Sequence, residues 1–319
     1  MPRHIRYNLK TFQKASFKNN LIKMKAAGFS GVVIPAARQD FNQQNVGNES
    51  EFHPLEPILE IAQNIEMQVT FDFNIFESRY LWFHKNFSQP VNYNNLSYFP
   101  GKKINYYPIC PNNPLAQERV DNIIEILKKL THSSTILLSE LSFPFDWKYT
   151  NLEVQESEPP FCYCPFCLGE FSEYIEEMIT EPDQIRDNIR FWMDWRISVI
   201  YDYFEKISSE LFDSNLIISI PPLSLIDIPF VTGQIPIAFL KNQARISPPL
   251  LHRTQKRDFR WVMDQLQHYD TEMREDELVP IFEVQSKDMD EIKKLESKGF
   301  RDVIYSDWDN YLQNCKEKI

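Results

Sequence analysis

Glycine is scarce in this chain, at 7 of 319 residues. Phosphate-cradling loops use glycine where backbone must approach a ligand closely, and neither G-x-G-x-x-G nor a Walker pattern occurs here. That excludes the common nucleotide-binding frameworks. Positive charge is also short: 34 Lys and Arg against 45 Asp and Glu leave a net charge of −11, with no long basic stripe. Nucleic acid and anionic membrane surfaces need clustered cations, so neither is an expected partner. No apolar run approaches the ~20 residues of a membrane span. Met1-Pro2-Arg3-His4-Ile5-Arg6 is basic but leads into no apolar stretch, so no signal peptide is expected and the cytoplasm is the default location. Cysteines are few and odd in number, at 5. A chain of this length buries a full core without a disulfide framework, and an odd count fits poorly with complete pairing.

What is present is concentrated. Cys162-Tyr163-Cys164-Pro165-Phe166-Cys167 packs three cysteines into six positions. Zinc takes four ligands in a tetrahedron, and a C-x-C-x-x-C run can supply three from one tight loop. The fourth ligand must come from Cys110 or Cys315. Cys110 is the better choice, because Pro108-Ile109-Cys110-Pro111 reads as a loop able to reach in, whereas Cys315 lies close to the C-terminus. The competing reading is four reduced, half-buried thiols beside a helix start.

Short β-rich runs alternate with amphipathic helical stretches. Strands are expected at His4–Asn8, Gly31–Pro35, Met67–Phe73, Thr135–Glu140, Asn215–Ile220, Ala244–Pro248, Leu278–Val284 and Asp302–Ser306. Helices are expected over Asn20–Gly28, Leu55–Asn64, Leu115–Leu130, about Leu168 to Leu211, Asp258–Tyr269 and Met289–Lys298. Long loops follow the third strand (about 75–107) and the fourth (about 141–167). Strands spaced by helices, with no linker and no repeat, close most simply as a single (β/α)8 TIM barrel over 1–319, in the α/β class. A doubly wound open sheet is the alternative.

Barrel enzymes place their chemistry at the C-terminal ends of the strands. Those ends offer Arg38, Asp72, Asn74, Glu140, His252, Arg253, Glu283, Gln285, Tyr305, Asp307, Trp308 and Asp309. Glu140 and Glu283 each close an apolar strand, the fourth and the seventh, and these strands face each other across a barrel mouth. Two carboxyl groups ~5–5.5 Å apart suit a retaining glycosidase. Asp72 and Arg38 could bond sugar hydroxyls or pair with each other. His252 and Arg253 suit an anionic group or a solvated loop. Trp192, Trp195 and Arg196, at helical spacing, read as packing on the barrel, with Arg196 within reach of the metal loop.

At these residues the chain resembles a known group. Glu140 and Glu283 are placed like the pair in the clan of retaining glycoside hydrolases with catalytic glutamates on strands four and seven. The cysteines are similar to the zinc site of glycoside hydrolase family 42, the β-galactosidases, which has one cysteine before strand four and a C-x-C-x-x-C run after it. Cys167-Leu168-Gly169-Glu170-Phe171 resembles related zinc-cysteine glycosyl hydrolases of uncharacterised specificity. The resemblance implies a structural zinc on Cys110, Cys162, Cys164 and Cys167. It also implies Glu140 as acid/base, Glu283 as nucleophile with Gln285 and Tyr305 beside it, and Trp308 beneath the sugar, while Asp72 and Arg38 are candidate sugar contacts from their strand-end positions. A carbohydrate is the implied partner, and assembly into a homo-oligomer is left open. Ser139 stands where the clan usually has Asn, and family 42 enzymes carry further domains after the barrel. Two other readings therefore stay beside the first. One is a catalytically inactive barrel that binds a glycan or protein. The other is a hydrolase using zinc directly, which four thiolates would disfavour by closing the coordination sphere.

Overall fold

Runs of branched aliphatic residues without polar interruption suit strands buried on both faces, and all strands here join one parallel sheet. The computed structural model describes residues 2–9, 12–41, 50–83, 88–98, 106–130, 134–145, 161–211, 215–283, 289–296, 300, 302–309 and 311. Gln285, Cys315 and much of both long loops lie outside them. In chain order the elements are β1 (Arg3–Arg6), α1 (Lys14–Ala26), β2 (Gly31–Pro35), α2 (Leu55–Gln63), β3 (Gln68–Asn74), α3 (Arg79–Trp82), α4 (Pro114–Lys129), β4 (Thr135–Ser139), α5 (Pro165–Ile175), α6 (Ile189–Ser208), β5 (Asn215–Ser219), α7 (Asp227–Thr232), α8 (Pro236–Lys241), β6 (Arg245–Ser247), β7 (Pro249–Leu250), α9 (Phe259–Asp270), β8 (Ile281–Phe282), α10 (Met289–Glu296) and β9 (Val303–Tyr305).

The strand order is β6-β5-β4-β3-β2-β1-β9-β8-β7. Only Pro248 separates β6 from β7, so the two are halves of one barrel strand. β6 pairs with β5 and β7 pairs with β8, which brings the sheet round on itself. Proline has no N–H to give to a ladder, which accounts for the break. The gap is bridged by the Val279 amide donating to the Ile246 carbonyl at 2.8 Å and the Ser247 hydroxyl donating to the Val279 carbonyl at 2.8 Å. The result is a (β/α) barrel, nearly closed, in which β8 and β9 are the seventh and eighth strands.

Side-chain parity divides the core. Ile5, Val32, Ile34, Val69, Phe71, Ile136, Leu138, Ile218 and Val303 face the helices. Val33, Leu137, Ile217, Val279, Ile281 and Ile304 form a separate apolar cluster inside the barrel. That inner plug leaves polar residues above and below it. Capping sets where the helices begin. Asn113 accepts from the Leu115 amide at 2.9 Å with Pro114 in the first turn of α4, and Asp258 accepts from Trp261 to start α9. Pro165 starts α5 immediately after Cys164 and so sets the exit of the cysteine loop. The helices expected from about 168 to 211 are α5 and α6, with a 3-10 turn at Pro182–Asn188 between them. Helices α7 and α8, unexpected from the sequence, fill the connection between β5 and β6. Among the described residues no helix is long and apolar enough to cross a membrane.

Candidate active site and metal centre

At the C-terminal ends of the strands lies a cavity of about 260 Å³ lined by Arg6, Asn74, Glu77, Ser139 and Glu140, among others. Each polar residue has a reason to be there. Arg6 ends β1 and Asn74 ends β3, both on the inward parity. Glu140 is the first residue past β4 and adopts φ 53°, the left-handed region that non-glycine residues rarely occupy. Holding a residue there costs of order 1–3 kcal/mol and persists only where surrounding contacts fix it. Here the Glu140 carbonyl accepts the Phe76 amide at 3.0 Å, and the Ser139 carbonyl accepts the Ile75 amide at 2.8 Å. The turn at Glu140 is thus locked to the segment after β3.

Charge in the mouth centres on Arg6. Its guanidinium pairs with Asp72, whose carboxylate is fully buried inside the barrel. Burial pulls the Arg6 pKa down, and attraction to Glu77, Glu140 and Asp307 opposes that fall. Four carboxylates therefore surround one cation. Asp72 does form an ion pair, but with Arg6 and not with Arg38. Arg38 instead makes two hydrogen bonds to Asp40, at 3.0 and 2.8 Å, and lies over the Phe41 ring.

Glu283 follows β8 but does not line this cavity. Its Oε2 accepts the Arg253 and Thr254 amides at 2.8 and 3.2 Å, and its Oε1 accepts the Thr254 hydroxyl at 3.1 Å. The loop after β7 thus holds its carboxylate in one orientation. Tyr305 and Trp308 do not line this cavity either. Tyr305 shares the outward parity of Val303, while Ile304 takes the inward one. Trp308 is 1% exposed, stacks on Tyr311 at 5.8 Å and meets Phe29 edge-on, so its ring offers no face to a sugar. His252 is buried edge-on against Phe259. Arg6 and Glu77 were missed from the sequence. Arg6 sits at the end of the first strand, where inward alternation from His4 points to it. Glu77 lies beyond its strand and carries no comparable signal.

The opposite end of the barrel holds a second polar cavity, of about 470 Å³, with His4, Arg245 and Asp302 in its wall. Arg245 and His4 both face the Asp302 carboxylate, which joins β1, β6 and the start of β9 across the barrel floor. Burial alone would raise the Asp302 pKa, but hydrogen bonds and attraction from His4 and Arg245 outweigh it and bring it to about 2.

Beside the mouth, Cys110, Cys162, Cys164 and Cys167 are all buried, with their sulfurs within 4.8 Å of one another. Cys110 Sγ lies 3.2 Å from Cys167 Sγ and 3.5 Å from Cys164 Sγ. A tetrahedral site with metal–sulfur bonds of ~2.3 Å has sulfurs ~3.8 Å apart, so the set fits a metal ion with little adjustment. Burial pushes the Cys110 and Cys167 thiols up, whereas hydrogen bonds from Cys110, Cys162 and Cys167 push Cys164 down. Four buried sulfurs at this spacing could hold a cation, and soft sulfur donors favour a thiophilic one. The Val91 amide and the Asn112 side chain donate to Cys162 and Cys167, at 3.4 and 3.5 Å. Arg196, fully buried on α6, donates to the carbonyls of Phe161 and Val231 and sits 4.0 Å from the Phe143 ring centre. Burial pulls its pKa down to about 10, against attraction to Tyr163 and the cysteines.

The barrel fold is similar to that of several solved glycoside hydrolases. The glycoside hydrolase domain of PgaB from Bordetella bronchiseptica matches with a TM-score of 0.72 at 12% identity, over 99% of this chain and 96% of that one. The catalytic domain of a β-amylase from Paenibacillus polymyxa matches at 0.61 and 10%, over 98% and 94%. A β-galactosidase from Halorubrum lacusprofundi matches at 0.62 and 12%, over 97% of this chain but 53% of that longer one. No family model and no curated protein matches the sequence.

Proposed function

We propose that this chain is a retaining glycoside hydrolase with a structural zinc. The observation that carries the reading is Glu140: a lone glutamate in a left-handed turn at the end of β4, lining the mouth of a barrel whose structural neighbours cleave glycosides. In this reading Glu140 protonates the glycosidic oxygen as the bond to the anomeric carbon breaks. Glu283, held by Arg253 and Thr254, attacks that carbon to form a glycosyl ester. Glu140 then takes a proton from water as its oxygen displaces Glu283, with net retention. Asp72 acts through Arg6 and not on the sugar directly. Gln285, two residues beyond Glu283, is proposed as a sugar contact. Cys110, Cys162, Cys164 and Cys167 would hold zinc, which would supply a cross-link and no Lewis-acid chemistry, since four thiolates close its sphere. A thiolate centre suits a reducing compartment, so the cytoplasm is the proposed location.

One observation favours a second reading, a glycan-binding barrel without turnover. Both Glu283 oxygens are already engaged, and Ser139 replaces the usual amide beside the acid. Incubation with activated fluorosugars, followed by mass spectrometry of peptides, separates the two. A glycosyl adduct on Glu283 supports the enzyme. Hydrolysis that continues in Glu283→Gln removes its role, and an inert wild type leaves the binding barrel.

A further inference from the structure

Glu77 belongs to no strand, yet its position is among the best determined in the mouth. The segment that carries it is paired on both sides. The Phe76 amide donates to the Glu140 carbonyl at 3.0 Å, while the Ile109 amide donates to the Phe76 carbonyl at 2.9 Å and the Ser78 amide to the Tyr107 carbonyl at 3.0 Å. Glu77 and Pro108 form an antiparallel bridge. The backbone of Glu77 is therefore one residue from a direct hydrogen bond to the backbone of Glu140.

The side chain is equally constrained. It is 8% exposed, and the Asn74 amide nitrogen donates to its Oε2 at 2.9 Å. Arg6, Asn74, Glu77 and Glu140 line the same cavity. Beyond its ion pair with Asp72, the Arg6 guanidinium is attracted by both Glu77 and Glu140. A carboxylate in this wall can accept neighbouring hydroxyl hydrogens of a pyranose as a pair, whereas an anionic ligand would meet like charge.

We infer that Glu77 is a specificity-determining carboxylate of the mouth, which accepts hydroxyl hydrogens of the sugar whose glycosidic oxygen faces Glu140. The inference rests on the glycoside reading of that cavity. Asn74 fixes the carboxylate, and the backbone pairing sets its offset from the acid. The bound ligand is then a neutral, hydroxyl-rich ring.

The test is a cycle of enzyme and substrate changes. The full chain is assayed on nitrophenyl glycosides of the common hexoses and, for each one hydrolysed, on its monodeoxy analogues. Deleting the hydroxyl that Glu77 accepts should lower wild-type kcat/KM by about 10- to 100-fold, the range for a hydrogen bond to a charged group. In Glu77→Gln that penalty should shrink severalfold while penalties at other positions stay unchanged. A penalty at that position as large in Glu77→Gln as in wild type would overturn the inference. If wild type hydrolyses nothing, the enzyme reading fails on its own. Methyl glycosides of the same hexoses are then titrated into unmutated protein carrying isotope-labelled glutamate. A shift at the Glu77 carboxyl carbon keeps the inference within the glycan-binding reading, and no shift ends it. That measurement needs no variant to fold.

Discussion

Removing Cys110 should cost this protein a large part of its stability. Cys110 and Cys164 lie 54 residues apart in the chain, with their sulfurs 3.5 Å apart. If a metal joins them, the closed loop removes chain entropy from the unfolded state much as a disulfide would, worth about 4 kcal/mol for a loop of this length. Total stabilities are ~5–15 kcal/mol, so that single cross-link is a substantial share. At a chain entropy near 2.1 cal/mol/K per residue, it corresponds to a fall of about 6 °C in Tm. Local structure should suffer with it, because the 107–109 segment that leads into Cys110 pairs with 76–78, and Phe76 in turn holds Glu140. The assay is thermal unfolding by circular dichroism alongside elemental analysis, for wild type, Cys110→Ser and Cys315→Ser. The expected result is one zinc per chain in wild type and in Cys315→Ser. Cys110→Ser should bind zinc more weakly and melt several degrees lower. A metal-free wild type that melts with Cys110→Ser would refute both the site and the loop-closure reasoning.

Two further outcomes follow from buried charge and from a buried histidine. Arg119 on α4 donates to Glu51 at 2.8 Å and to the carbonyls of Asn74 and Ile75 at 2.7 and 2.6 Å, while Ser78 donates to the same Glu51 oxygen. Arg119→Ala leaves Glu51, 10% exposed, as a largely desolvated and poorly compensated charge and should cost about 3 kcal/mol in urea unfolding, with Glu51→Gln/Arg119→Met recovering much of it. His53 is 5% exposed, and burial brings its pKa down to about 4 from 6.5. The unfolded chain then takes the proton first, so the contribution is complete above pH ~6.5 and is lost as pH falls toward 4. Between pH 7.5 and 5, wild type should lose about 2 kcal/mol through this group, and His53→Gln should lack that component in urea titrations.

The parts of this molecule legible in its sequence are those decided locally. Gly31–Pro35 needs only its run of branched residues to become β2, and the cysteine run needs only its spacing to place three sulfurs together. Glu140 could be read because it follows an unbroken apolar strand. What was hidden depends on parity and on tertiary pairing. In a barrel strand both faces are apolar, so nothing in Val303-Ile304-Tyr305 says which residues face outward. Glu77 owes its position to pairing with Pro108, 31 residues later in the chain, a contact with no trace in either segment's composition. Helices α7 and α8, at six residues each, are too short to show a helical period, and both contain proline.

The central claim is that Glu140 donates a proton to a glycosidic oxygen in the barrel mouth. Hydrolysis of paired glycosides with poor and good leaving groups, by wild type and Glu140→Ala, tests it most directly. General-acid help is worth about 10²–10⁴-fold where the leaving oxygen needs a proton and little where it departs unaided. The account predicts a loss of that order for alkyl or unsubstituted phenyl glycosides in Glu140→Ala, and a far smaller loss in the bond-breaking step for dinitrophenyl glycosides. Equal losses on both substrates, or wild type inert on both, would contradict it.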